Sequence, residues 1–424
     1  MGKLSKGPSI LALVASVLGI TFASYSTSDY AAHLDRQLHD IHCSFIPGMA
    51  VVSDAESACR VAMYSPYSAL MREHWWGGVP VSLFALGVYA FFGAFALAAL
   101  VGGAKVSWRA WQFFGVAGLS PLVVSVIMAF ISAIKLHTFC KTCMGLYFAS
   151  ALLAAASIWG MIAAHRFFVV QAYVNPTGPT PLADAGSPPA APSEARMPLG
   201  HPALFALWLA ALGASALLPA VLYVSALPDY RSKLTSCGKL PEPSDKIPVP
   251  LATLHPKREA LIVADPLCPT CKALDERLTA ENAIENLKLS LVLMPLDNAC
   301  NWMLDRPMHP GACILSKAVL CAEPRAREAL EWMFANQDEL ASLGKSGDAL
   351  LRARIRTQFG SAIDACIDSK QTQVRLNNQL QFAVANQLPV STPQLYLGDM
   401  RVCDEDTDLG LRYALGQLAP EVLQ

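Results

Sequence analysis

The chain has 424 residues, enough for two or three domains, and its composition is not that of an average soluble protein. Charged residues make up only 15%, against about 25% in typical soluble domains, and hydrophobic residues make up 54%. The formal net charge of −1 gives no electrostatic argument for a nucleic-acid partner. Residues 1–228 hold 11 Lys and Arg with 8 Asp and Glu, whereas residues 229–424 hold the other 21 and 25. This asymmetry predicts a membrane part followed by a soluble domain, and it excludes a disordered, collagen-like or coiled-coil chain.

Five stretches are long and apolar enough to cross a bilayer, which takes about 20 residues per helix. They cover approximately residues 8–28, 79–103, 110–134, 140–164 and 202–227. The first could instead be a signal peptide. Its apolar run exceeds the usual 7–15 residues or so, however, and no clear cleavage site follows, which favours a retained span. The sequence therefore predicts five membrane spans.

The distribution of basic residues predicts the orientation of these spans, because Lys and Arg are enriched in cytoplasmic segments. Lys3 and Lys6 precede the first span, Lys105 and Arg109 join the second to the third, and Arg166 follows the fourth. The amino terminus is then cytoplasmic, and the carboxy-terminal domain is periplasmic, on the outer side of the inner membrane. We expect a four-span domain over 1–170, a Pro-rich cytoplasmic linker over 171–200, a fifth span over 201–228 and the soluble domain over 229–424.

Two Cys-x-x-Cys pairs stand out among the 12 cysteines. Cys268 and Cys271 follow the apolar run 259–265, typical of a buried strand, and precede a helical pattern. At a helix amino terminus the backbone N–H groups favour a thiolate on the first cysteine, and the second cysteine can resolve a mixed disulfide. The alternative, half of a zinc site, requires a second ligand pair that this domain lacks. We therefore expect a redox site and no metal.

A Thr392-Pro393 dipeptide precedes a later apolar run. The order of elements in this domain resembles the DsbA-like branch of the thioredoxin fold. It has a strand, a Cys-Pro-Thr-Cys helix, a second strand, a long helical insertion over about 311–385 and then Thr-Pro. The resemblance implies an α/β domain in which Thr392 and Pro393 form the cis-proline loop beside the active disulfide.

The six remaining cysteines of this domain predict three structural disulfides, because disulfides persist in an oxidising compartment. Six cysteines allow 15 connectivities in principle. We favour Cys300–Cys313, which closes the shortest loop, together with Cys321–Cys366 and Cys237–Cys403.

The second pair, Cys140 and Cys143, opens the fourth span at its outer end. A loop before the second span carries Cys43, Cys59 and Ser65, and it ends in Gly78-Val-Pro. Together with Tyr147, four residues after Cys143, this pattern resembles the bacterial vitamin K epoxide reductase family. The 15 residues between Cys43 and Cys59 exceed the spacing usual in that family.

This second resemblance implies an α-helical membrane bundle of four helices, to which the fifth span tethers the α/β domain. It implies Cys140 and Cys143 as the active pair and Cys43 and Cys59 as a shuttle pair. It also implies a quinone of the ubiquinone or menaquinone class near Ser65 and Tyr147, although Ser65 could be an ordinary turn hydroxyl.

The two resemblances together imply a quinone-dependent thiol–disulfide oxidoreductase. Electrons from reduced exported proteins would pass from Cys268/Cys271 to Cys43/Cys59, then to Cys140/Cys143 and to quinone in the lipid membrane. Two alternatives stay open from the sequence. The same cysteines could serve a disulfide isomerase or a vitamin K epoxide reductase, or the chain could be a tethered, disulfide-rich binding module without turnover.

Overall fold

The computed structural model describes residues 5–34, 62–103, 106–136, 139–174, 203–244 and 246–424. It divides into two compact units. The first combines Met1–Leu70 with Val79–Leu227, and the second combines Met71–Gly78 with Pro228–Gln424. Cys43, Cys59 and most of the Pro-rich linker predicted from the sequence lie outside the described residues.

The first unit is helical. Its long helices are α1 (Gly7–Leu34), α2 (Val81–Gly102), α3 (Trp108–Ala117), α4 (Ser120–Ile131), α5 (Lys141–Val174) and α6 (Ala203–Ala226). Among the described residues, five helical segments are long and apolar enough to cross a membrane: Gly7–Ala32, Val81–Gly102, Trp108–Leu136, Lys141–Val169 and Ala203–Ala226. These segments coincide with the five stretches expected from the sequence, so the prediction of five apolar spans is confirmed.

The third span is not the continuous helix that its apolar run suggested. It consists of α3 and α4, separated near Gly118, and it continues as a π-helical turn over Ser132–Leu136. Pro121 lies in the first turn of α4, where its missing N–H costs no helical hydrogen bond. A Cβ atom at Gly118 would come within 2.6 Å of the Cβ of Ser157, so glycine allows α5 to approach closely at the break.

Aromatic side chains and small residues form the core of the bundle. Tyr89, Phe92, Trp111 and Phe114 are almost fully buried and belong to one cluster with alanines of α1 and α5. A Cβ atom at Gly19 of α1 would overlap the Tyr89 ring, so glycine is required for this ring to lie against α1. Small residues at such positions let membrane helices approach and pack tightly.

The second unit is built on a five-stranded sheet. Its strands are β3 (Val249–Pro250), β4 (Arg258–Ala264), β5 (Leu287–Leu293), β6 (Gln394–Leu397) and β7 (Met400–Val402), in the spatial order β3-β5-β4-β6-β7. β4 and β5 are parallel, from the pair Arg258 and Leu287 to the pair Ala264 and Leu293, whereas β6 runs antiparallel to β4. The turn between β6 and β7 contains Gly398, whose φ of +65° suits a two-residue hairpin loop.

Helices complete this unit. Helix α7 (Pro269–Ala280) connects the parallel strands β4 and β5, and α14 (Leu411–Leu418) follows β7. The insertion between β5 and β6 is helical, as expected: α8 (Ala312–Cys321), α9 (Ala326–Ala335), α10 (Gln337–Ser346), α11 (Asp348–Phe359), α12 (Ala362–Ile367) and α13 (Lys370–Ala385). Short 3-10 turns cover Ile284–Asn286, Asp404–Thr407 and Pro420–Leu423. The β4-α7-β5 crossover and the later β6-β7 hairpin with its helix give a thioredoxin-like domain with a helical insertion.

A short segment from before the second span belongs to the second unit. The strands β1 (Ala69–Leu70) and β2 (Val79–Pro80), which belong to the first unit, pair antiparallel on either side of Met71–Gly78. Arg72 and Glu281 form a buried ion pair, with side chains 4% and 3% exposed. Arg412 bridges Glu281, at 2.8 Å, and Glu73. Met71–Gly78 is therefore fixed to the thioredoxin-like domain by a network of four charges, which the sequence did not suggest.

Candidate functional site

The pair Cys268 and Cys271 lies where β4 ends and α7 begins. Cys268 is the N-cap residue of α7, and its carbonyl accepts hydrogen bonds from the backbone N–H groups of Cys271 and Lys272 at 3.1 and 3.2 Å. Both cysteines are reduced and each is only 3% exposed. The first thiol therefore lies at the amino-terminal end of α7, as the sequence predicted for a strand–helix junction, and a hydrogen bond from the Cys271 backbone helps to lower its pKa.

The two thiols have opposite acidities. The hydrogen bond from the Cys271 thiol is the largest influence on Cys268, and it lowers the pKa of Cys268 to about 5 against the opposing effect of burial. The Thr270 hydroxyl, 2.9 Å from the Cys268 sulfur, acts in the same direction. Burial raises the pKa of Cys271 well above its ordinary value, and its hydrogen bond to Cys268 adds to this effect. These opposite acidities suit a nucleophilic first thiol and a protonated second thiol that resolves a mixed disulfide.

The loop predicted to face this pair does so in the structure. The Thr392–Pro393 peptide bond is cis, and the carbonyl oxygen of Thr392 lies 3.5 Å from the Cys268 sulfur. The side chain of Gln394 is fully buried and donates to the carbonyls of Pro389 and Ser391 at 2.8 and 2.7 Å. Gln394 thereby fixes the loop beside the cysteine pair.

Three further polar residues form hydrogen bonds at or next to the Cys-x-x-Cys motif, and the sequence analysis did not predict them. The fully buried carboxylate of Asp265 accepts from the backbone N–H groups of Leu267 and Leu296, both at 2.7 Å, and contacts His309 Nδ1 at 2.8 Å. This hydrogen bond raises the pKa of His309. Gln337 Nε2 donates to the carbonyl of Cys268 at 3.1 Å. Asp265 is visible in the sequence as an acidic residue between a buried strand and Cys-x-x-Cys, but His309 and Gln337 come from the helical insertion and the loop before it.

The other six cysteines of the domain form three disulfides: Cys237–Cys403, Cys300–Cys313 and Cys321–Cys366. These are the pairs that the sequence analysis favoured. None of these disulfides includes Cys268 or Cys271. Within the described part of this unit, these two cysteines are therefore the ones with free thiols.

The second pair lies at the start of α5. Cys140 and Cys143 are reduced, and the Cys140 sulfur is 2.8 Å from the Thr142 hydroxyl. Cys140 is 5% exposed and packs with Ala62 and Met63. Both Cys-x-x-Cys pairs thus have a threonine just before the second cysteine, and in both its hydroxyl contacts the first sulfur.

Cys140 and Cys143 both line a cavity of about 290 Å³ in the helical unit. Most of its wall is apolar, with contributions from α1, α2, α4 and α5. Ser65 and Tyr147, the two residues predicted to lie near a quinone, also line it. The structure thus brings Ser65, Cys140, Cys143 and Tyr147 around one cavity, whose volume is close to the lower limit of about 300 Å³ for small-molecule pockets. Cys43 and Cys59 lie outside the described residues. Among the residues that are described, no group of three or more His, Cys, Asp and Glu side chains could hold a metal ion.

Comparisons with known proteins found one family match and several similar solved structures. Residues 10–158 match the model of the vitamin K epoxide reductase family. No curated protein matches the chain significantly. Among solved structures, reduced DsbA1 from Neisseria meningitidis is 15% identical, over 43% of this chain and 95% of that one, with a TM-score of 0.28. ScsC from Proteus mirabilis in a transitional conformation is 17% identical, over 51% of this chain and 97% of that one, with the same TM-score.

The family match over residues 10–158 includes Cys140 and Cys143, and the strand order with its reduced Cys-x-x-Cys pair indicates, independently, that the second unit is thioredoxin-like. The chain is therefore a thiol–disulfide oxidoreductase in which residues 10–158 are similar to the vitamin K epoxide reductase family, five helices are long and apolar enough to cross a membrane, and a thioredoxin-like domain follows.

Proposed function

We propose that this protein couples disulfide formation in exported proteins to the reduction of a quinone of the ubiquinone or menaquinone class. One observation carries the proposal: the Cys140–Cys143 pair lines a largely apolar cavity within the family-matched helices. An apolar wall with a few hydroxyl groups suits a flat ring that carries two polar oxygens. A bound quinone supplies an acceptor for two electrons and two protons.

The residues of the chain supply the donor side of this reaction. Cys140 and Cys143 together release two electrons and two protons when they form a disulfide, which balances the conversion of a quinone to a quinol. Cys143 belongs to the first turn of α5 and lines the cavity, so we assign it the contact with the ring. Ser65 and Tyr147 line the same cavity, and we assign them to the ring's binding site.

The thioredoxin-like domain supplies the entry point for electrons. A substrate thiolate attacks the oxidised Cys268–Cys271 pair, and a second substrate thiol completes a substrate disulfide while both cysteines are reduced. The low pKa of Cys268 makes it a good leaving group in this exchange. The reduced Cys268 then attacks a disulfide between Cys43 and Cys59, and that pair in turn reduces Cys140–Cys143. Each exchange moves two electrons, so the sum is substrate dithiol plus quinone giving substrate disulfide plus quinol.

We also propose that the five spans lie in a bacterial inner membrane with the thioredoxin-like domain in the periplasm, following the positions of Lys and Arg. We assign residues 1–170, 171–200, 201–228 and 229–424 to the four-span domain, the cytoplasmic linker, the fifth span and the periplasmic domain. A membrane-impermeant thiol reagent should label reduced Cys268 in cells with an opened outer membrane and an intact inner membrane. Labelling that requires disruption of the inner membrane would reverse this orientation.

The function is tested with purified full-length protein, a reduced peptide that carries two cysteines, and menadione as the acceptor. The wild type should consume menadione and form peptide disulfide in equal amounts. Cys140→Ser and Cys143→Ser should each abolish both, while reduced Cys268 and Cys271 accumulate. Met144→Ser is the matched control, because Met144 lies next to Cys143 on α5, is 44% exposed and is not among the described residues that line the cavity.

Two outcomes would contradict the proposal. Wild-type rates in Cys143→Ser would remove the terminal donor from the scheme. Net reduction of a peptide disulfide by menadiol, without the forward reaction, would favour the reverse activity expected of a reductase or isomerase.

A further inference from the structure

A chain of three hydroxyl groups lies in the wall of the cavity, beyond the cysteine pair. Tyr89 of α2, Ser125 of α4 and Ser150 of α5 all line the cavity. The Ser150 oxygen is 2.7 Å from the Tyr89 oxygen and 2.7 Å from the Ser125 oxygen. All three residues are buried, at 2%, 7% and 2% exposure for Tyr89, Ser125 and Ser150. Three different helices therefore bring their hydroxyl groups together inside an otherwise apolar space.

The distances allow two arrangements of the hydroxyl protons. The Leu146 carbonyl accepts from Ser150 at 2.9 Å and from Tyr89 at 3.2 Å. When Ser150 donates to Leu146, Tyr89 and Ser125 both donate to Ser150, and Ser125 presents oxygen lone pairs to the cavity. When Ser150 donates instead to Ser125, the Tyr89 proton serves Leu146 and Ser150, and the Ser125 proton is available to the cavity. Ser125 can thus accept a hydrogen bond from a ligand hydroxyl group or donate one to a ligand carbonyl group.

The spacing along α5 relates this hydroxyl chain to the cysteine pair. Ser150 is seven residues after Cys143, which is about two helical turns and about 10 Å along the axis. Ser125 is one hydrogen bond of 2.7 Å from Ser150, and Cys143 and Ser125 line the same cavity. A ring whose reacting side contacts the Cys143 sulfur can therefore direct its far side toward Ser125.

We propose that Ser125, at the end of the Tyr89–Ser150–Ser125 chain, binds the ring oxygen that lies farther from Cys143. This inference rests on the proposed function, because it names a subsite within the cavity assigned there to a quinone. Ser125 donates to this oxygen in the quinone, where it is a carbonyl, and accepts from it in the quinol, where it is a hydroxyl. The subsite favours rings that carry two oxygens on opposite sides, and it serves the acceptor before and after the transfer.

The binding test uses the full-length protein with its Cys140–Cys143 pair oxidised, which cannot reduce the ligand, and menadione in equilibrium dialysis. Loss of one neutral hydrogen bond should raise the Kd of Ser125→Ala roughly 2- to 10-fold. Ser125→Thr keeps the hydroxyl group and should bind within about 2-fold of wild type. Ser157→Ala is the matched control, because Ser157 is a buried serine on the same helix as Ser150, bonds to the Ala154 carbonyl and is not among the described cavity-lining residues. Its Kd should not change.

The kinetic test follows turnover of the full-length protein with the reduced peptide and menadione. Ser125→Ala should raise the KM for menadione by a similar factor, while the rate at which the peptide substrate reduces Cys268–Cys271 stays at the wild-type value. A wild-type Kd in Ser125→Ala, or equal weakening in Ser125→Ala and Ser125→Thr, would overturn the subsite. Wild-type turnover with no Ser125 effect refutes the subsite alone. Menadione binding that depends on Ser125, without turnover by the wild type, refutes the proposed function and supports the subsite.

Discussion

The acidity of Cys268 should depend more on its partner cysteine than on any other neighbour. The hydrogen bond from the Cys271 thiol is the largest influence that lowers the pKa of Cys268 to about 5. Cys271→Ala removes this donor, whereas Cys271→Ser replaces it with a hydroxyl donor of similar position. The two variants therefore separate the hydrogen bond from the loss of the second redox thiol, since neither can form the Cys268–Cys271 disulfide.

The expected magnitude follows from the strength of a hydrogen bond to a charged group. Such a bond contributes about 1.5–3 kcal/mol, and about 1.4 kcal/mol corresponds to one pH unit. The pKa of Cys268 should then rise from about 5 to roughly 6–7 in Cys271→Ala. It should remain near 5 in Cys271→Ser. The Thr270 hydroxyl is a smaller influence, so Thr270→Val should raise the pKa by less than Cys271→Ala does.

The assay is the rate of alkylation of Cys268 as a function of pH, followed by peptide-specific mass spectrometry so that Cys140 and Cys143 do not contribute. The thiolate reacts and the thiol does not, so the midpoint of the rate profile reports the pKa. A Cys271→Ala profile that coincides with that of the wild type would refute the reasoning. It would assign the acidity to the N-terminus of α7 and to Thr270 instead.

The same pKa determines how pH affects the reduced protein. Because the folded pKa of Cys268 is lower than that of an ordinary thiol, the reduced protein is stabilised most above the ordinary thiol pKa, and this contribution is lost as pH falls to about 5. At pH 7 it amounts to about 3 kcal/mol, from the difference of roughly two pH units between 7 and the folded pKa. That stabilisation of the reduced state makes the disulfide a stronger oxidant by about 60 mV, which is the direction that the proposed disulfide formation in substrates requires.

Two further predictions concern the connections of the thioredoxin-like domain. Arg72→Met removes one partner of a buried ion pair and should destabilise this domain by about 3 kcal/mol, the lower end for such a loss, because Glu281 retains Arg412. Denaturant unfolding of the purified protein measures this change in the free energy of unfolding. A change below about 0.5 kcal/mol would show that the pair is not stabilising. Cys271→Ser should trap a disulfide between Cys268 and the shuttle pair, with Cys43 as the expected partner, in peptide maps of the protein. A Cys59 adduct would reverse the order of the shuttle pair, and the absence of both adducts would break the proposed link between the domains.

Local patterns in the sequence were sufficient for much of the fold. Uncharged runs predicted the five spans, and the apolar run before Cys268 predicted a buried strand at the junction with a helix. The break in the third span was not predicted, although Gly118 and Pro121 mark it, because hydrophobicity alone does not distinguish one long helix from two short ones. The close approach of Ser157 that accompanies the break comes from another helix.

Contacts between distant residues explain what the sequence could not show. Arg72 and Glu281 are 209 positions apart, and Glu73 and Arg412 are 339 apart. No local periodicity records such pairs, so the membership of Met71–Gly78 in the second unit is visible only in the structure. The hydroxyl chain in the cavity has the same origin, because Tyr89, Ser125 and Ser150 each look like ordinary small or aromatic residues of an apolar helix until three helices bring them together.

The two Cys-x-x-Cys pairs share one local arrangement in two different environments. In each, a threonine hydroxyl contacts the first sulfur, at 2.8 Å for Cys140 and 2.9 Å for Cys268. The difference lies in the environment of the second cysteine. Burial raises the pKa of Cys271 in the core of the thioredoxin-like domain, whereas the pKa of Cys268 is lowered, so we expect exchange to begin at Cys268. Cys143 lines an apolar cavity, which gives a small molecule access to the second sulfur. A pair of the first kind suits exchange with other thiols, and a pair of the second kind suits the transfer to a small-molecule acceptor that we propose.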